Sequence, residues 1–165
     1  MKILVFNCGS SSVKYKIFEM PQEETVVRGS VEKIGEETSL FRQSNADGRT
    51  ISVDRPVKTH DEALNLVACT LTDAEKGIVR DLAEIQGVGH RVVHGGEGFD
   101  RSVVIDQQVL NRISEYQDLA PLHNPHNLAG IRAARKFFPN SVQVASFDTA
   151  FHTTMPETAY LYAIP

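Results

Sequence analysis

The chain reads as an α/β domain built on a mixed sheet with flanking helices. Its first part is extended and alternating, its later part sets strands between helical stretches, and polar residues gather where the strands stop. Residues 3–8, ILVFNC, are an apolar run of strand length, the pattern of a central strand buried on both faces. VKYKIFEM then alternates, with Val13, Tyr15 and Ile17 against Lys14, Lys16 and Phe18, which predicts a second strand antiparallel to the first. TVVRGSVEKI (25–34) gives a third. Asp47-Gly48 joins two further extended runs, a strong hairpin signal. HDEALNLVACTL spaces Ala63, Leu64, Leu66, Val67 and Leu71 as one helical face. EIQGVGHRVVHGG is a strand closed by Gly95-Gly96. Asp106 suits the cap of a helix through VLNRISEY. Asn124-Pro125 reads as a cap followed by proline in the first turn of a helix that continues NLAGIRAARKFF. VQVASF is a buried strand with Asp148 at its end.

A length of 165 residues fits one domain, and 41% hydrophobic residues suffice for a core. The net charge of −4, with no run of Lys and Arg, argues against a nucleic-acid partner. Cys8 and Cys69 have no metal-type spacing and suggest a reducing compartment. MKILVF passes at once into polar residues, so neither a signal peptide nor a membrane span is expected, and the reading is cytoplasmic. LYAIP ends the chain without a polar tail, as if the domain continued.

Four constellations carry possible chemistry. In Asn7-Cys8-Gly9-Ser10-Ser11-Ser12-Val13-Lys14, backbone amides, the Ser10 and Ser12 hydroxyls and the Lys14 charge can cradle an anion, and Gly9 allows close approach. A plain hairpin turn is the competing reading. It is not a Walker P-loop: the second glycine is missing, and a strand rather than a helix follows. In GHRVVH, Arg91 and Val93 share one strand face, while His90, Val92 and His94 share the other. A guanidinium beside an apolar side chain suits a carboxylate with a short alkyl tail, whereas the bland alternative is a structural ion pair. His90 and His94 stand roughly 13 Å apart in a strand, too far to share one metal ion. In APLHNPHN, His123 stands at the start of a helix, where free amides favour an anion, and a surface histidine is the alternative. His123 and His126 lack a third nearby ligand. In FDTAFH, Asp148 can hold Mg²⁺, orient a reactant or merely cap the next turn; His152 receives no role.

Together NCGSSSVK, GHRVVHGGEGF, LAPLHNPHNLAGI and FDTAFHTTMPETAYLYAIP resemble the acetate kinase family of acetate and propionate kinases, in four long blocks in the same order. Residues 20–86 carry little of the likeness. The resemblance implies the ribonuclease H-like fold of the acetate and sugar kinase, heat-shock ATPase and actin superfamily. It also implies that residues 1–165 are an N-terminal domain, with a nucleotide-binding domain beyond Pro165. The implied reaction is reversible, Mg²⁺- or Mn²⁺-dependent transfer of the ATP γ-phosphate to acetate, in a cytoplasmic homodimer. By the same likeness, Asn7 lies at the metal and phosphate, and Ser10, Ser12 and Lys14 lie along the nucleotide phosphates. Arg91 binds the substrate carboxylate, Val93 and Leu122 line its methyl pocket, His123 stabilises the transferring phosphoryl group, and Asp148 is the catalytic acid. A carboxylate acceptor is already ionised at neutral pH, however, so no proton must be removed. The residues themselves favour Asp148 as an orienter of Mg²⁺ or of Arg91. A kinase for propionate or another short carboxylate, a non-catalytic phosphate-binding fragment, and a sensing or actin-like relative are the other readings.

Overall fold

The computed structural model describes residues 1–163. The strands are β1 (Lys2–Cys8), β2 (Ser12–Glu19), β3 (Glu24–Glu32), β4 (Ser39–Asn45) and β5 (Thr50–Arg55), then α1 (His60–Leu71) and β6 (Ile85–Val92). There follow β7 (Val103–Val104), α2 (Gln107–Glu115), α3 (Asn124–Phe137), β8 (Val142–Phe147) and the short, exposed α4 (Glu157–Tyr160). One eight-stranded sheet runs in the order β5-β4-β3-β2-β1-β6-β8-β7. The first five strands form an antiparallel meander, and β1, β6 and β8 are parallel neighbours. The crossovers between those parallel strands carry α1 and α3, which pack on each other.

The alternation of β2 is realised as read: Val13, Tyr15 and Ile17 are buried, while Lys14 and Lys16 are exposed. Gly48 takes a φ of 87° in the β4–β5 turn, a conformation open to glycine. Lys33, at φ 59°, ends β3 short of the expected residue 34. Thr59 caps α1 by accepting from the Glu62 amide, and Asp106 caps α2 by accepting from the Val109 amide at 2.8 Å.

Three expectations are corrected. β1 is central, but it is buried on one face only. Leu4, Phe6 and Cys8 point into the core beneath α1 and α3, whereas Val5 is 37% exposed on the opposite face. That face is lined with Val142 and Val104, also exposed, and with Gly87 and Gly89 of β6. The apolar run therefore reflects two apolar faces, of which one is bare. Second, α3 begins at Asn124 with His123 as its cap position, and the Asn124 side chain does not bond the helix's own amides. Third, β6 stops at Val92, before the glycines. Gly96 (φ 58°) sits so close to the Tyr116 ring that a Cβ would overlap it. The two-residue β7 was not anticipated. Among the described residues, no helix is long and apolar enough to cross a membrane.

Candidate active site

The polar residues meet where β1, β6 and β8 end, the place where open α/β sheets leave a crevice. Asn7 of β1 faces Lys14 of β2 in register, and Arg91 of β6 follows the last β1–β6 pair, Phe6 with His90. Asp148 is the first residue after β8. Its carboxylate does not cap the turn it begins. Instead it accepts from Arg91 Nε to both oxygens at 3.0 Å and from Nη2 at 2.5 Å. Arg91 Nη1 also donates to Asn7 Oδ1 at 3.3 Å. The Asp148 carboxylate holds the Arg91 guanidinium above its already high pKa.

This pairing is the structural ion pair considered as the bland reading, yet it does not consume the guanidinium. Five N–H donors are present, and Asp148 and Asn7 engage three of them. Two remain for a ligand. Both partners are near half exposed, Arg91 at 47% and Asp148 at 42%, so the pair is open to solvent on one side.

Gly9-Ser10-Ser11-Ser12 is a tight turn between β1 and β2, closed by a Gly9 amide to Ser12 carbonyl bond of 2.8 Å. It is thus a hairpin turn in its backbone. The Ser10 and Ser11 side chains are exposed, and Ser12 is half-buried. Two side chains hold this turn from behind. Asn127 donates to the Cys8 carbonyl at 2.7 Å. His60 Nε2 lies 2.7 Å from the Gly9 carbonyl, which can only accept, so the proton sits on that nitrogen.

His123 is exposed at the cap position of α3, and no hydrogen bond joins it to Arg91, Asp148 or Asn7 among the described residues. Val93 is half-buried in the loop after β6, and Leu122 is 73% exposed in the loop before α3. The geometry therefore gathers Asn7, Arg91 and Asp148 directly, places Lys14 beside Asn7, and leaves His123, Val93 and Leu122 on loops at the same end of the sheet. His90 is on the face opposite Arg91, as the strand period required, and that face is the one the helices cover. His90 is buried against Phe6 and donates to Gln143 Oε1 at 2.8 Å. Burial pushes its pKa down to about 4. His126 stacks on His60, and burial first, then the neighbouring His60 and His123, hold its pKa below the ordinary histidine value. Burial raises the Cys8 thiol to about 12, so it is an inert core group.

Sequence reasoning missed Asn127 and His60 and misassigned Asn124. The available sign was amide side chains on the apolar stripe of α3, beside Leu128 and Ile131, where a polar group survives only with partners.

Oxygen donors for a hard cation are present in Asn7 Oδ1 and the Asp148 carboxylate, both now turned toward Arg91. Among the described residues, no three His, Cys, Asp or Glu side chains cluster as a metal cage. One or two protein oxygens, completed by water and phosphate, are what Mg²⁺ commonly takes.

The Acetokinase family model matches residues 2–165. The acetate kinase of Parabacteroides distasonis is 50% identical over all 165 residues of the chain, which correspond to 41% of that protein. A crystal structure of Porphyromonas gingivalis acetate kinase superposes with a TM-score of 0.92 at 44% identity, covering 99% of this chain and 41% of that one. A Francisella tularensis propionate kinase superposes at 0.87 with 37% identity over the same shares. The chain thus spans about 41% of the length of the relatives it matches. The final two residues of the sequence block quoted above, Ile164 and Pro165, lie outside the described residues. The sheet is that of the acetate and sugar kinase, heat-shock ATPase and actin superfamily, the ribonuclease H-like fold expected. The chain belongs to the acetokinase family.

Proposed function

We propose that residues 1–165 form the acceptor-binding domain of an acetate kinase, which moves the γ-phosphate of ATP to acetate and back, in a cytoplasmic homodimer. One observation carries this reading. Arg91 is fixed by Asp148 and Asn7 at the ends of three parallel strands, with two N–H donors left free. A planar guanidinium held in this way can grip a carboxylate through paired hydrogen bonds. A carboxylate oxygen then forms a bond to the γ-phosphorus while the bond to the β-phosphate bridging oxygen breaks, and ADP leaves. Transfer of this kind depends on alignment and charge neutralisation rather than on covalent help.

In this reading Ser10, Ser12, Lys14 and the turn amides hold nucleotide phosphates. His123, at the start of α3, opposes charge on the equatorial oxygens. Asn7 and Asp148 are the oxygens that would hold Mg²⁺ or Mn²⁺, which supplies charge neutralisation on the phosphates when bound. Asp148 orients Arg91, and the contact between them supports that role over proton transfer. The adenosine-binding wall is assigned to the part of the relatives' length that this chain does not match.

The test is Arg91→Ala in a full-length kinase carrying residues 1–165, with acetyl phosphate trapped as its hydroxamate. Loss of the carboxylate's charged partner should cost about 2–5 kcal/mol in kcat/KM for acetate. Unchanged kinetics would remove Arg91 from the site. The propionate kinase likeness favours a second reading in which propionate is the better acceptor. Val93→Ala should raise the propionate-to-acetate ratio by about 1–3 kcal/mol, the scale of one methylene in a pocket. An unaltered ratio would mean that Val93 does not touch the alkyl group.

A further inference from the structure

The β1–β6 ladder stops one step short of the site. Its last registered pair is Phe6 with His90, so Asn7, Arg91 and everything beyond them lie past the final rung. Where two strands part, backbone groups lose their partners and need others. The structure supplies one side chain for both strands. Asn127, in the first turns of α3 and 3% exposed, accepts from the Val93 amide through Oδ1 at 3.1 Å. Its Nδ2 donates to the Cys8 carbonyl at 2.7 Å. A side-chain amide has the donor and acceptor of a peptide group, and here it bridges the two diverging strands as an extra rung. Asn124, fully buried one helical turn earlier, differs. It accepts from the His94 amide at 3.1 Å and donates to the His94 carbonyl at 2.9 Å and to the Tyr116 carbonyl at 3.4 Å, so it ties the loop after β6 to the end of α2 and does not reach β1.

We propose that Asn127 is a positioning residue that sets the spacing between the phosphate turn after β1 and the carboxylate-binding end of β6. This rests on the functional reading above. Cys8 leads directly into the Gly9–Ser12 turn, and Val93 lies two residues beyond Arg91. One amide therefore determines how far apart the donor phosphate and the acceptor carboxylate are held. It touches neither. Its loss leaves each half-site formed but misaligned, so the defect belongs in kcat, while the loss of Asn124 belongs on the acetate side.

The experiment has two arms. In the 165-residue chain itself, amide hydrogen exchange should show Val93 protected, and Asn127→Leu should remove that protection while the core strands stay protected. In a full-length kinase carrying residues 1–165, kinetics are expressed per folded protein, judged by near-UV circular dichroism. An inactive parent enzyme would count against the functional reading, while the exchange arm would still test the bridge. With an active parent, Asn127→Leu should lower kcat at least about tenfold, since a misplacement of 1 Å can cost about 100-fold. Both KM values should stay within about threefold, as expected when alignment rather than binding is lost. Asn127→Asp carries a further signature. Its ionised carboxylate cannot donate to the Cys8 carbonyl, but its protonated form restores one donor and one acceptor. Its kcat relative to the parent should therefore rise as pH falls. An unchanged kcat per folded protein, a rise confined to the KM for one substrate, or an Asn127→Asp profile parallel to the parent's would overturn the proposal.

Discussion

His90 and Arg91 are neighbours in sequence with opposite fates. The strand period puts them on opposite faces, which was readable from GHRVVH alone; that Arg91 meets solvent and His90 the core follows from the helices covering only the His90 face. The consequence for His90 is a pKa of about 4 in the folded chain, against 6.5 when unburied. Between those values the unfolded chain takes up a proton and the folded chain does not. The stabilisation from a neutral His90 is therefore complete above pH 6.5 and is lost as pH falls toward 4. The loss is about 3 kcal/mol over that window. Urea denaturation at pH 7 and pH 4.5 should show a smaller acid loss in His90→Gln than in the parent, and equal slopes would contradict the assignment. Asn127 illustrates what could not be read at this scale. Its importance depends on which backbone groups are orphaned where two strands diverge, and nothing local in HNPHN states that. Asn124 was misread for a related reason: an asparagine before proline at a helix start suits a cap, yet the turn packs so deeply that its amide serves the loop after β6 instead.

Helix α1 was legible from apolar spacing, α2 from its Asp106 cap and α3 from an asparagine–proline start whose cap lies one residue earlier; β2 was legible from alternation, β1 and β8 from apolar runs, and β4 and β5 from the Asp47-Gly48 turn. β7, at two residues, has too few positions to show a period. What no pattern revealed is how closely α3 approaches β1. Gly130 of α3 lies against Cys8, and a Cβ added there would overlap the Cys8 Sγ. Gly130→Ala should therefore destabilise the chain by about 1–3 kcal/mol through overpacking. That should hold despite alanine's better helix propensity, worth about 1 kcal/mol. Combining it with Cys8→Ala should recover most of the loss. A thermal-melt double-mutant cycle measures the coupling, and strict additivity would show that the two positions do not press on each other. The same contact places the start of α3, with His123 and Asn127, at a fixed height below the strand ends.

The whole molecule is a sheet with helices on one side. Its opposite face presents Val5, Val104 and Val142 beside two glycines, while the site lies at one end of that face. Apolar patches of this kind usually have an occupant. Residues 1–165 expressed alone should fold, because a chain of this length buries a sufficient core. They should bind an apolar dye such as ANS and self-associate as concentration rises. They should form no acetyl phosphate, because the proposed function assigns the nucleotide wall, and with it closure over the reactants, to the part of the relatives' length that this chain does not match. Sedimentation, dye fluorescence and the hydroxamate assay check the three outcomes, and turnover comparable to that of a full-length kinase would refute the last. The sheet order has a further consequence during synthesis. β1 finds its first partner, β2, within the opening hairpin, but its second, β6, is encoded about 65 residues after β2 ends. At roughly 5–20 residues per second, the flank of β1 that β6 will cover stays unpaired for about 3–13 s on the ribosome. Unpaired strand flanks invite foreign pairing. One of the two central strands of the sheet is thus, for those seconds, an outer edge of the nascent one, and a chaperone that shields emerging chains should matter most before Ile85 has left the exit tunnel.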